Sequence, residues 1–417
     1  MALDPEKLRA QRRARQAQRE KQQKQLRTKL IIAGCVLLAL IVLAIVIAVG
    51  VKTKPSPGGS VSRPEDTTPE TTAPPTTVVH LAAAGDLNIT EQVVGSGGND
   101  FDYTKTFLDV AHILADADIT ALNFEGCLYG APYGTDRSAP QSLAQALSDA
   151  GVDLVQLANS FSIYKGMDGL RSTIQGIRDA GMEPLGVYES SAAAKEGKGY
   201  TIRNVEGIKI AFVAFTKGMD GMALPAGNDG CVNLLYSDYA TDYQALDTET
   251  VTKILDAANK ENPDLTVAFL HWGSEFNDTI SSTQNEVCQL LQSKGVDAII
   301  GTHSHYVQQM TLDKETGNFV AYSLGDFFGD ASRAGSEYSV ILDLEITKDH
   351  NSGQTKITNF SYTPIFTLAL KDSPLQVLRI QQAMKAYEDS YIDKISEETY
   401  QKMQYALERI EARINGN

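Results

Sequence analysis

Leu30 to Val51 reads LIIAGCVLLALIVLAIVIAVGV, twenty-two residues without a charge. At about 1.5 Å rise per residue such a helix spans about 33 Å, the thickness of a hydrocarbon core. A buried core helix would carry a polar face, and this segment has none. A cleaved signal peptide is the rival reading, with Ala48 and Gly50 as the small residues near a cleavage point. The flanks set orientation. Ten Lys/Arg and three acids lie in residues 1–29, whereas only Lys52 and Lys54 closely follow the apolar run. The positive-inside rule puts the amino terminus in the cytoplasm and the rest outside.

Residues 52–77 include PSPGGSVSRPEDTTPETTAPPTT, which cannot build a core and favours an extended spacer. Basic tail, single anchor and Pro/Thr stalk together point to a bacterial cell membrane of Gram-positive type. The tail sums to +7, so the net charge of -15 leaves -22 for everything after it. A domain that acidic lacks the cation excess that nucleic acid binding needs. Cys127, Cys231 and Cys288 match no zinc spacing and read as buried small hydrophobes, or one disulfide plus a free thiol.

Beyond residue 78, short apolar runs alternate with helical patterns. Strands are expected at 78–84, 119–123, 152–157, 208–216, 265–271 and 298–301. Helices are expected at 103–115, 141–150, 168–180, 249–259 and 284–294. This alternation predicts a layered α/β domain over 78–373. Runs at 319–324, 339–346 and 356–362 lack intervening helices and predict an antiparallel section. Val377, Ile380, Met384 and Tyr387 fall at helical spacing, so 374–417 is expected to be helical.

Polar residues gather where the expected strands end, the position at which open α/β sheets hold ligands. They are Gly85-Asp86, Asn123-Phe124-Glu125, Asn159, His271 to Glu275, Gly301 to His305, and Ser323 to Phe327. Three of six histidines, His271, His303 and His305, fall in this set. His303 and His305 are two apart, so an extended segment would point both to one side. Imidazoles with Asp86 and Glu125 suit a divalent ion such as Mn, Zn or Fe.

The ordered set GD, NFE, LAN, HWGSE, GTHSH with Val307-Gln308, and YSLGDF resembles the CapA family, linked to poly-γ-glutamate capsule synthesis. That family is similar in fold to calcineurin-type metallophosphoesterases, so the resemblance implies a metallophosphoesterase-like α/β sandwich. It also implies Asp86, Glu125, His271, His303 and His305 as metal ligands, and Glu275 and Asn159 as catalytic or orienting groups. Asn123, Gln308 and Asp326 would face substrate. The family's LANNH, followed by Asp, here reads Leu157-Ala158-Asn159-Ser160-Phe161, with Tyr164 in place of the Asp. A Phe neither donates a proton nor ligates a metal, which removes a group worth about 10²–10⁴ in rate. Tyr164, Lys165 and Glu189 are candidates to compensate. Asp326 stands where the family has Asn.

Two functions follow. One is a metal-dependent hydrolase acting outside the cell on poly-γ-glutamate or another anionic surface polymer. The other is a degenerate polymer-binding or scaffold module of a capsule synthesis complex, held to the membrane by one helix.

Overall fold

The structure, a computed structural model, describes residues 75–331, 333–370, 373–390 and 395–416. The expected membrane helix, its basic tail and nearly all of the stalk lie outside the described residues. Among the described residues, no helix is long and apolar enough to cross a membrane.

Fourteen strands follow in order: β1 (Thr76–Asn88), β2 (Ile119–Glu125), β3 (Leu154–Gln156), β4 (Glu183–Leu185), β5 (Tyr200–Val205), β6 (Ile208–Thr216) and β7 (Leu265–His271); then β8 (Ala298–Thr302), β9 (Met310–Leu312), β10 (Phe319–Ala321), β11 (Asp326–Phe328), β12 (Tyr338–Asp349), β13 (Thr355–Leu368) and β14 (Gln376–Arg379). The helices are α1 (Glu91–Gly95), α2 (Ala111–Asp116), α3 (Gln141–Ala150), α4 (Gly166–Asp179), α5 (Ser191–Gly197), α6 (Thr248–Asn259), α7 (Ser282–Ser293), α8 (Ile380–Glu388) and α9 (Glu397–Ile414).

The strands form two sheets. The first runs β14-β13-β12-β1-β2-β3-β4, with β11 also paired to β1. The second runs β5-β6-β7-β8-β10-β9. Strands β1 to β4 are mutually parallel, as are β6, β7, β8 and β10; helices carry the chain back between them except from β8 to β10, where β9 and its loops do so. Of the expected antiparallel section, the runs at 339–346 and 356–362 form β12 and β13, whereas the run at 319–324 becomes β10 of the second sheet, parallel to β8 and antiparallel to β9.

Period-two burial explains the layering. Val79, Leu81 and Ala83 of β1 share one core with Ile210, Phe212 and Ala214 of β6, so the sheets face each other. The opposite face of β6 and β7, with Val213, Phe215, Ala268 and Leu270, packs under Val251 and Leu255 of α6 and Val287 and Leu291 of α7. The domain is a layered α/β sandwich.

Two helical expectations need correction. The helix expected at 103–115 shortens to α2, because long-range contacts hold its first half. Tyr103 Oη donates to Val94 O at 2.8 Å, Phe107 stacks on Phe327 at 5.6 Å, and Thr106 O accepts from Val377 N. Residues 376–379, expected to be helical, are strand β14, since β13 offers an open edge. In the rest of the terminal region, Met403, Ala406, Ile410 and Ile414 of α9 join the core to which both sheets contribute. Finally, Cys127, Cys231 and Cys288 are all free and buried, so the small-hydrophobe reading stands over the disulfide.

Candidate metal centre

Parallel pairing brings the carboxyl ends of β1, β2, β7 and β8 to one edge, and the polar strand-end residues converge there. Asp86 closes β1, where Asp86 N donates to Gly325 O at 3.0 Å and Asp86 lies level with Asp326 of β11. Asn123 and Glu125 end β2, and His271 ends β7. His303 and His305 follow β8 on backbone with φ of +90° and +57°. Left-handed backbone is strained for a non-glycine residue and clusters at functional sites. The segment is therefore not the extended one expected, yet the two rings stay neighbours, with centroids 6.2 Å apart.

Six buried side chains form two sets of three. Glu125, His271 and His303 place donor atoms within 4.8 Å of one another, and so do Asp86, His305 and Asp326. Within the first set, His271 Nδ1 lies 3.4 Å from Glu125 Oε1. Within the second, His305 Nδ1 lies 2.7 Å from Asp326 Oδ1 and 3.8 Å from Asp86 Oδ2. The sets are tied together: His303 N donates to Asp86 Oδ2 at 2.9 Å, and Asn123 Nδ2 donates to Asp86 Oδ1 at 2.7 Å and approaches Glu125 Oε1 at 3.2 Å. Asn159 Nδ2 in turn donates to Asn123 Oδ1 at 3.0 Å, fixing the amide that joins both sets.

His303 decides what this arrangement suits. Both its ring nitrogens are buried, and neither has a hydrogen-bond partner. An unpaired buried polar atom costs about 1–3 kcal/mol, so such a group in a native site calls for a ligand. Nitrogen and carboxylate donors in two adjacent groups of three fit divalent transition ions.

Electrostatics agree. Burial, then neighbouring His271 and Lys217, hold His303 well below the ordinary histidine value, leaving it neutral as a ligand must be. Burial and Lys217 do the same to His271. Burial, reinforced by Asp86, pushes Glu125 well above the carboxylate range. Burial opposes charge on His305, but Asp326 outweighs it and holds the imidazole up at about 10. The Asp326 carboxyl is itself pushed up to about 6, by burial.

These shifts set a pH dependence for the metal-free chain. His305 stays protonated when folded but not when unfolded above about 6.5, so its contribution is full below 6.5 and lost as pH rises toward about 10. Glu125 acts in the same direction above its ordinary range. Stability of the chelated protein should therefore fall between pH 7 and 9, by about 1.4 kcal/mol per pH unit from His305. Denaturant unfolding at several pH values measures this, and a flat profile would contradict the assigned protonation states.

Residues 80–331 match the family described as bacterial capsule synthesis protein PGA_cap, over half of the chain. The chain belongs to that family. It is 24% identical over 264 residues to the capsule biosynthesis protein CapA of Bacillus anthracis, covering 61% of this chain and 60% of the relative. It is 23% identical over 215 residues to the PGA biosynthesis protein CapA of Bacillus subtilis, covering 51% and 52%. The match thus spans little more than half the length of these relatives. Among solved structures, a calcineurin-like phosphoesterase from Bacillus subtilis aligns at 16% identity and TM-score 0.41, covering 80% of this chain and all of that one. A hypothetical protein from Thermus thermophilus aligns at 16% and 0.41, covering 68% and 98%. At these scores the likeness assigns nothing to this chain.

Within the PGA_cap domain, the departures at 160, 161 and 164 have a definite geometry. Ser160 Oγ lies 3.0 Å from His271 Nε2, so a hydroxyl meets the imidazole where the resemblance expects an amide ligand. The Phe161 backbone N–H donates to Asn159 Oδ1, which keeps the loop shape although the side chain is apolar. Asp326, expected to face substrate, is instead a member of a donor set. Two expected site residues stand apart. Glu275 is exposed in the loop after β7, outside both sets. Gln308 is buried, but it donates to Asn277 O and accepts from Gln284, bracing that loop instead of lining the cluster.

The expected compensators are also otherwise engaged. Lys165 Nζ pairs with Asp136 at 2.6 Å, and Glu189 pairs with Arg178. Tyr164 packs edge-on against Phe161 and is 39% exposed. Two arginines that the sequence did not single out stack beside the site. Arg137 lies 4.0 Å over the Phe161 ring. Arg333 lies 4.0 Å over Phe276, which itself stacks on His305.

Proposed function

We propose that this chain is a cell-surface member of the PGA_cap family that engages poly-γ-glutamate or a similar anionic polymer through a pair of divalent ions. The amino-terminal apolar segment would anchor it, with the α/β domain outside a Gram-positive-type membrane as part of a capsule synthesis complex. The observation that carries the reading is the pair of buried three-donor sets, with both ring nitrogens of His303 unpartnered. The names of the Bacillus relatives support the capsule context.

Glu125, His271 and His303 would hold one ion, and Asp86, His305 and Asp326 the other. A divalent ion here supplies Lewis acidity and neutralises ligand charge inside an acidic domain. Asn123, fixed by Asn159, orients both acidic ligands. Ser160 directs His271 through Nε2. Phe161 favours a second reading, binding without cleavage, because no imidazole stands at that position to move a proton.

Elemental analysis of the full chain, purified without chelator, tests the proposal. About two transition ions per chain are expected; fewer than one sinks it. Incubating that protein with poly-γ-glutamate and measuring polymer length separates the readings: shortening favours hydrolysis, and retention at full length favours the binding module.

A further inference from the structure

The loop between β2 and α3 delivers Arg137 to the edge of the centre, and its placement is tightly built. Asp136 and Arg137 both sit in left-handed backbone, with φ of +51° and +58°. The Arg137 carbonyl accepts from Cys127 N at 2.8 Å, two residues beyond the ligand-type Glu125. Gly126 makes that approach possible, since a Cβ there would lie 2.4 Å from Ile89 Cγ1 and 2.9 Å from Arg137 O. Arg137 Nη1 donates to Asn88 Oδ1 and, at 3.3 Å, to Ile89 O. Asn88 is the residue of β1 level with Glu125. The guanidinium carbon thereby sits over the Phe161 ring, 4.0 Å from its centroid.

Its charge has no ion-pair partner among the described residues, although it acts through space on Glu125. The neighbouring Asp136 is taken by Lys165. Among the described residues, no carboxylate lies within ion-pairing distance of Arg137, and its Nε and Nη2 donors meet no acceptor. The side chain is only partly buried, so those donors are open to water or to a ligand. A planar guanidinium with a free fork matches a planar or tetrahedral oxyanion in two-point contact. The seat for this fork is the phenyl ring that stands where the family resemblance expects an imidazole.

We infer that Arg137, stacked on Phe161, is an oxyanion-binding residue that holds a carboxylate or phosphoryl group of the ligand beside Glu125, His271 and His303. A cation thus stands over the position where the family resemblance expects an imidazole. This rests on the proposed reading of the cluster as a ligand-binding metal centre, and it adds which side chain grips the ligand's charge.

The test is calorimetric titration of the full chain, with and without Mn²⁺, using two probes: inorganic phosphate and a γ-linked glutamate tetramer. Arg137→Gln should weaken binding of at least one probe about 10–100-fold, with metal content and melting temperature unchanged. Loss confined to phosphate identifies a phosphoryl ligand, and loss confined to the tetramer identifies a carboxylate. Equal affinities in wild type and variant, or no binding of either probe to wild type, overturn the inference. A measurement on the wild type guards against misfolding of the variant. Modification of Arg137 by phenylglyoxal, read by mass spectrometry, should be slowed by the probe that binds, and an unchanged rate overturns the inference equally. Metal content of the same samples tests the parent reading separately. A wild type that holds no metal yet binds phosphate through Arg137 would refute the metal centre and leave this role standing.

Discussion

Replacing His303 by Ala should cost the metal-free chain little and the metal-loaded chain about 4 kcal/mol. In the metal-free state the imidazole is buried with both nitrogens unpaired, a burden of about 1–3 kcal/mol for each unsatisfied group. Truncation removes that burden and opens a cavity, whose penalty for a large core side chain is about 2–5 kcal/mol. The two effects oppose each other and nearly cancel. With free metal at about a thousand times Kd, by contrast, binding to the native state alone adds about 4 kcal/mol to stability. His303→Ala removes one of only three donors in its set and should abolish that increment. Denaturant unfolding of both proteins, with and without Mn²⁺ or Zn²⁺, measures the difference. A metal-dependent increment of equal size in both would show that His303 is a core residue and not a ligand.

Gly85→Ala should destabilise the domain by about 3 kcal/mol or more and empty the centre as well. At Gly85 the backbone of β1 crosses close to the turn before β11. A Cβ there would lie 1.8 Å from Gly325 O and 2.9 Å from Gly325 C. Both obstacles are backbone, so no rotamer relieves them, and overpacking a rigid site costs about 1–3 kcal/mol or more. The carbonyl that would be displaced is the acceptor for Asp86 N, and the crossing sets Asp86 level with Asp326. Strain at one atom therefore moves two ligand-type carboxylates together. Gly95→Ala is the control, because a Cβ there meets nothing within 4 Å. Unfolding free energies and metal content of the two variants decide the matter. Equal stability with full metal in Gly85→Ala would refute the close-crossing argument.

Period-two and helical patterns made the layered sandwich readable from the chain itself. β6 and β7 fall where the apolar runs lie, and α3 coincides with its expected span. Burial of every residue along β2, β7 and β8 leaves a continuous apolar signal that local sequence cannot hide. The elements that misled are those decided by partners far along the chain. Val377 and Ile380 have helical spacing, yet β14 forms because β13 supplies the hydrogen bonds that residues 376–379 lack on their own. Tyr103 to Val110 has helical spacing too, but contacts with Val94, Phe327 and Val377 hold it in turns.

The same division holds for the centre. Asp86, Asn123, Glu125, His271, His303 and His305 were legible as a set because their chemistry recurs at strand ends, where parallel sheets gather it. The sequence also exposed the departure at Phe161, since a missing imidazole is visible in any alignment of motifs. It could not show that His303 and His305 belong to different donor sets, because that depends on two left-handed residues forced by the turn after β8. Nor could it show that Gln308 braces a loop, or that Glu275 faces outward. Arg137 was invisible for a related reason. It lies in a loop without periodicity, and its importance comes from what it stacks on and from its place near Glu125 without an ion pair. Residue types and their order determine which groups reach the edge of the sheets. Only the packing of loops over that edge decides which of those groups face each other and which charge is left open for a ligand.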